Sequence, residues 1–131
     1  MKILIVDDNE IVVKMLSTML SKVDCAFDIA LTGTQAIDLA LANCYDAIFM
    51  DIGLPDISGI TASKLIRLYN SFKIYTPIIA ITAHCDNKHK EAAFKAGMDE
   101  FISKPLDPDG IYDLVNRLKS NSYNKCQVSS I

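Results

Sequence analysis

Ile3-Leu4-Ile5-Val6-Asp7-Asp8-Asn9 decides how this chain is read. Four consecutive apolar residues without polar alternation predict a strand buried on both faces, the mark of a parallel sheet covered on both sides. The run then stops on two carboxylates. Three later runs stop on polar residues in the same way: Ala47-Ile48-Phe49-Met50 on Asp51, Ile78-Ile79-Ala80-Ile81 on Thr82, and Phe101-Ile102-Ser103 on Lys104-Pro105. As parallel strands of one sheet, these would bring three carboxylates, a hydroxyl and an ammonium to one edge. Such an edge suits a divalent cation and a phosphoryl group.

Working outward, helix patterns fall between the strands. A helix is predicted from about Glu10 to Lys22, with Asp8 or Asn9 as N-cap. Ala26–Ala30 reads as a weaker strand, and 34–43 as a helix with Ala36, Ile37, Ala40 and Leu41 on one face. After Ala47–Met50 comes the turn Gly53-Leu54-Pro55-Asp56, then Ser58 as cap of a helix to about Tyr69. The fourth strand is read as 77–82, opening on Pro77, a residue tolerated at sheet edges. A short Ala-rich helix, 88–96, ends at Gly97 as its C′ stop. The last helix runs from Pro108, which suits a first turn, to Lys119, with Ile111, Leu114, Val115 and Leu118 at core spacing. About five βα units with right-handed crossovers predict a doubly wound α/β sheet with helices on both faces. Ligands of such sheets bind outside the carboxyl ends of the strands, where the polar residues lie. One domain is expected over 1–119, with 120–131 a polar tail or linker stub.

Bulk properties agree. The 131 residues suffice for one core, half of them are hydrophobic, and the net charge is −3. No basic stripe supports direct nucleic-acid binding. No apolar run approaches the roughly 20 residues of a membrane span, so direct membrane contact is not expected. Cys25, Cys44, Cys85 and Cys126 are scattered without metal-ligand spacing. With no signal-peptide pattern at the start, a reducing cytoplasmic setting is expected.

Crowded carboxylates repel, and Asp7, Asp8 and Asp51 at two strand ends make sense around a cation. Magnesium is the natural one, since it takes hard oxygen ligands, and manganese is a substitute. Asp51 is the candidate nucleophile, because a carboxylate attacks phosphorus to give an acyl phosphate. Lys104 would offset charge on the phosphoryl oxygens as a compact point charge, and the Thr82 hydroxyl would donate to one of them. Singly, Thr82 and Lys104 are ordinary residues; their joint placement carries the reading. A phosphatase with an aspartyl-phosphate intermediate would need a general acid two residues after the nucleophile, and Gly53 stands there.

These motifs resemble the receiver (response-regulator) domain of two-component signalling. The resemblance rests on Ile3-Leu4-Ile5-Val6-Asp7-Asp8-Asn9, Met50-Asp51-Ile52-Gly53-Leu54-Pro55-Asp56 with Gly59, Ile81-Thr82-Ala83, Gly97-Met98-Asp99 and Lys104-Pro105, and it spans nearly the whole chain. It implies strand order 2-1-3-4-5, the order the flavodoxin-like folds share, and a cis Lys104-Pro105 bond. It implies that Asp51 accepts phosphate from a phosphohistidine. Asp8 would bind magnesium directly, Asp7 largely through water, and Gly53 through its backbone carbonyl. Thr82 and Lys104 would contact the phosphoryl group, and Phe101 would be the aromatic partner of Thr82 in a two-state switch. Gly53 and His84 would tune the lifetime of the phosphate.

The segments at 53–56 and 80–84 look most like receivers of hybrid sensor kinases, which pass phosphate to a histidine phosphotransfer domain. The alternative is a free-standing single-domain regulator that acts by protein–protein binding. The implied partners are a histidine kinase, a phosphotransfer domain or both, with the receiver a monomer or weak dimer. A docking surface is also expected. Ile11, Val12, Val13, Met15, Leu16, Met19 and Leu20 cover roughly 200° of the first helix at 100° per residue, where burial needs little over about 100°. One edge of that stripe should therefore be exposed for a helical partner.

Overall fold

In a computed structural model, residues 1–70, 75–83 and 85–120 are described. Five strands alternate with five helices: β1 (Lys2–Val6), α1 (Glu10–Lys22), β2 (Ala26–Ala30), α2 (Gly33–Ala42), β3 (Ala47–Met50), α3 (Gly59–Tyr69), β4 (Ile78–Thr82), α4 (Asn87–Lys95), β5 (Glu100–Ser103) and α5 (Pro108–Lys119). All strands are parallel, in the order β2-β1-β3-β4-β5. His84 and the tail beyond Ser120 lie outside the described residues.

The apolar runs behave as a sheet covered on both sides requires. Ile3 and Ile5 of β1, Phe49 of β3, and Ile79 and Ile81 of β4 point into one core, which α1 and α5 close with Leu16, Leu20, Ile111, Leu114 and Leu118. Their neighbours Leu4, Val6, Ile48, Met50, Ile78 and Ala80 point into the other, closed by Ala36, Ala40, Ala62, Ile66 and Ala93 from α2, α3 and α4. Alternate residues thus serve opposite cores, the period-2 geometry of a strand. Positions 3–6, 47–50 and 78–81, buried on both faces, accordingly carry no polar residue. Each fully buried aliphatic side chain contributes on the order of 1.5–3 kcal/mol.

Local chemistry sets the helix starts. The Asn9 side chain accepts from the backbone N–H of Ile11 and Val12, Ser58 from Ile60, and Asp86 from His89. Gly97 takes φ +97° after α4, the left-handed stop that glycine adopts without penalty. Helix α2 starts one residue before the expected 34, because Thr32 caps the N–H of Gln35 while the Gln35 side chain accepts from Leu31 N–H. Thr32-Gly33-Thr34-Gln35 is a T-x-x-Q signature of the capping-box type. Pro77 precedes β4 rather than opening it. β4 lies between β3 and β5, where a proline would forfeit a ladder bond, and Pro77 instead offers its carbonyl to Ile48 N–H at 2.9 Å. The Lys104-Pro105 bond is cis, as expected. No helix among the described residues is long and apolar enough to cross a membrane.

Candidate phosphoacceptor site

Strand register brings the polar residues together. Val6 pairs with Met50, so Asp7 and Asp51 leave the sheet side by side. Met50 pairs with Ala80 and Thr82 with Ser103, so Thr82 and Lys104 follow one step beyond. Backbone bonds hold these ends: Asp7 N–H donates to the Ala30 carbonyl, Asp51 N–H to Val6, and Lys104 N–H to Thr82, each within 3.1 Å.

The carboxylates of Asp7, Asp8 and Asp51 each place an oxygen within 4.8 Å of the others. Asp7 and Asp51 are buried and Asp8 is exposed. Lys104 Nζ donates to Asp7 Oδ2 at 2.8 Å and to Asp51 Oδ2 at 3.4 Å. Asp7 Oδ1 accepts Asn9 N–H at 2.9 Å, and Asp51 Oδ1 accepts Gly53 N–H at 3.3 Å. Burial pushes the Asp51 carboxyl above its ordinary pKa, and the Asp7 charge pushes it further, against the pull of Lys104. For Lys104, burial works against the ammonium. Its hydrogen bond to Asp7 and the charge of Asp51 outweigh that and raise its pKa.

Three carboxylates against one ammonium leave an excess of negative charge at the sheet edge. The donor set is oxygen only, close-spaced and open to solvent on the Asp8 side, which fits a hard cation that keeps several waters. Manganese accepts the same donors.

Thr82 is fully buried at the end of β4. Phe101 lies two residues before Ser103 on β5, half-buried against the second core, with Lys90 Nζ 5.7 Å from its ring centroid. The expected site residues Asp7, Asp8, Asp51, Thr82 and Lys104 thus meet at one edge, Gly53 opens the loop after Asp51, and Phe101 sits one strand away. Sequence reasoning missed Asp56, whose carboxylate reaches α2. Nothing local signals a contact across more than twenty residues.

The chain belongs to the response regulator receiver domain family of two-component signalling, which matches residues 3–116. It is 40% identical over 119 residues to hybrid signal transduction histidine kinase G of Dictyostelium discoideum, covering 89% of this chain and 4% of that protein. It is 34% identical over 122 residues to the histidine-protein kinase BarA of Escherichia coli K12, covering 93% of this chain and 13% of BarA. The chain therefore spans only a small part of these relatives. Among solved structures, the receiver domain of a sensor histidine kinase from Pseudomonas aeruginosa PAO1 superposes with a TM-score of 0.81 at 31% identity, covering 91% of this chain and 97% of that one. That structure holds a magnesium ion in its active-site cleft. A two-component response regulator from Clostridium difficile gives a TM-score of 0.84 at 29% identity, covering 92% and 97%.

Proposed function

We propose that this receiver is a magnesium-dependent phosphoacceptor in a phosphorelay, with Asp51 taking the phosphoryl group from a phosphohistidine. The observation that carries this is the cluster of Asp7, Asp8 and Asp51 within 4.8 Å, bridged by Lys104. A carboxylate oxygen of Asp51 forms the new P–O bond as the P–N bond of the donor breaks. The imidazole leaves with the electron pair and takes up a proton. Asp7, Asp8, Asp51 and the Gly53 carbonyl would hold magnesium, which when bound supplies neutralising charge for the phosphoryl oxygens.

The remaining work belongs to the chain's own residues. Lys104 turns from Asp51 to the incoming phosphoryl oxygens while keeping Asp7, which holds the ammonium in place between transfers. Thr82 donates its hydroxyl to the phosphoryl group, and Phe101 moves inward behind it, a two-state element biased by a local charge. Gly53, which has no side chain to shield the phosphoryl group from water, and His84 would tune how long the phosphate lasts. The likeness to hybrid kinases favours a receiver that hands phosphate to a histidine phosphotransfer domain. A cytoplasmic setting is part of this proposal and rests on the scattered cysteines of the sequence.

The partner surface we assign is the exposed edge of α1. Ile11 is 71% and Met15 38% exposed. With Met19, Pro108 and Tyr112 they line an apolar groove between α1 and α5 that Lys14 and Lys22 border. Both helices begin within a few residues of the site, after Asp8 and after Lys104. Transfer is tested with a phosphorylated histidine phosphotransfer domain: the label should move to the receiver, be released by hydroxylamine as an acyl phosphate is, and depend on magnesium. A hydroxylamine-stable label would contradict the reading.

A further inference from the structure

Asp56 lies five residues after Asp51, on the loop that leaves the site, yet its side chain serves a different element. Oδ1 accepts the N–H of Gly33 at 2.7 Å, Oδ2 accepts the N–H of Thr34 at 2.9 Å, and the Thr34 hydroxyl donates to Oδ2 as well. Gly33 and Thr34 are the first two residues of α2, and Thr32 serves the third N–H. The loop thus provides acceptors that α2 lacks in its own first turn, and α2 provides a fixed wall for the loop. These bonds hold the Asp56 carboxyl well below the usual carboxylate range, with the Thr34 hydroxyl the largest cause, so it is charged at neutral pH.

The packing is as close as the hydrogen bonding. A Cβ on Gly33 would sit 2.4 Å from Cγ1 of Ile57, the residue after Asp56. The loop is also cinched at its base: Gly59 N–H donates to the Ile52 carbonyl at 2.8 Å and Leu54 N–H to the same carbonyl at 3.1 Å. Residues 52–58 are therefore closed on themselves at the Ile52 carbonyl and tied to α2 in the middle by Asp56.

We propose that Asp56 is a positioning residue for the Asp51 site: by clamping the β3–α3 loop onto the first turn of α2, it holds the Asp51–Gly53 segment in the shape that cation and phosphoryl binding require. Its part toward the cation rests on the magnesium reading above; its part in loop order does not. Two measurements on the folded chain separate them. The first is amide hydrogen exchange of residues 52–58 in metal-free protein. The second is the magnesium dissociation constant by calorimetry. Asp56→Ala should speed exchange across the loop on the order of tenfold and weaken magnesium about tenfold, as loss of a supporting residue around a metal site does. Thr34→Val, which leaves Asp56 the backbone N–H groups of Gly33 and Thr34, should move both in the same direction by less. Tyr45→Phe, at the opposite end of the sheet, serves as a control that lowers stability without changing either. If Asp56→Ala lowers the melting temperature while loop exchange stays at the wild-type rate, the proposal is overturned. If the loop loosens but magnesium binds as in the wild type, positioning of the cation site is overturned. If the wild type itself binds no magnesium, the cation reading fails and loop exchange alone decides the role of Asp56.

Discussion

At the scale of single residues, the two ends of the sheet use charge in opposite ways. At the carboxyl edge, Asp7 and Asp51 are buried as like charges beside one ammonium, an arrangement that favours ligand binding over stability. At the amino edge, the Asp28 carboxylate is paired. The buried Tyr45 donates its hydroxyl to Asp28 at 2.6 Å, and Lys2 lies 3.2 Å from the same carboxylate. The Tyr45 hydroxyl is the main cause of a depressed Asp28 pKa, with Lys2 adding to it. A depressed carboxylate contributes stability that is complete above its unfolded value, 3.8, and is lost as pH falls through the lower folded value. Tyr45→Phe should therefore cost about 1 kcal/mol at neutral pH. Thermal melts should show a gap to the wild type that is constant down to the carboxylate range and narrows in acid. A gap independent of pH would assign the loss to packing alone. The pairing of Tyr45 with Asp28 was not legible in sequence, since the two stand apart with no shared period, whereas Lys104 beside Asp7, across 97 positions, followed from reading the strand ends together.

Elements were far more legible, for a physical reason. Strands buried on both faces have no polar positions, and helices here open on Asn9, Thr32, Ser58 and Asp86, whose side chains accept from the first turn. Those signals are local, so they survive in the sequence. The width of the apolar stripe on α1 was equally readable, and its surplus is the Ile11–Met15 edge. Ile11→Glu should slow transfer from a phosphohistidine domain about tenfold or more, in line with loss of an apolar interface contact. It should leave labelling by acetyl phosphate unchanged, and equal loss of both would place the partner elsewhere. What an element-level reading could not supply is how tightly the β3–α3 loop closes. A Cβ on Gly59 would lie 2.0 Å from the Asp51 carbonyl oxygen. Gly59→Ala should thus destabilise by about 3 kcal/mol, the upper end for overpacking, in chemical denaturation and displace the phosphoacceptor. Wild-type stability in that variant would show that the loop can open without cost.

For the whole molecule, two cores on either side of one sheet hold the strand ends rigid, and the acidic edge is the region where stability is given up. The class of protein and the site followed from strand ends read together, because parallel order converts separated sequence positions into neighbours. The wiring between elements, Asp56 onto α2 and Arg67 onto the Gly97 carbonyl and Asp99 carboxylate, came only with the fold. Because a cation that binds only the folded state stabilises it, magnesium at 100 times its dissociation constant should add about 2.7 kcal/mol. Melting curves with and without magnesium check this, and superimposable curves would count against a cation site in the folded protein.

The central claim is that Asp51 is the acceptor, and intact-protein mass spectrometry tests it directly. Incubation with acetyl phosphate and magnesium should add a single phosphoryl group to the wild type and none to Asp51→Asn, which keeps the shape of the side chain but not its nucleophilic charge. Labelling of Asp51→Asn to the wild-type extent would contradict the account.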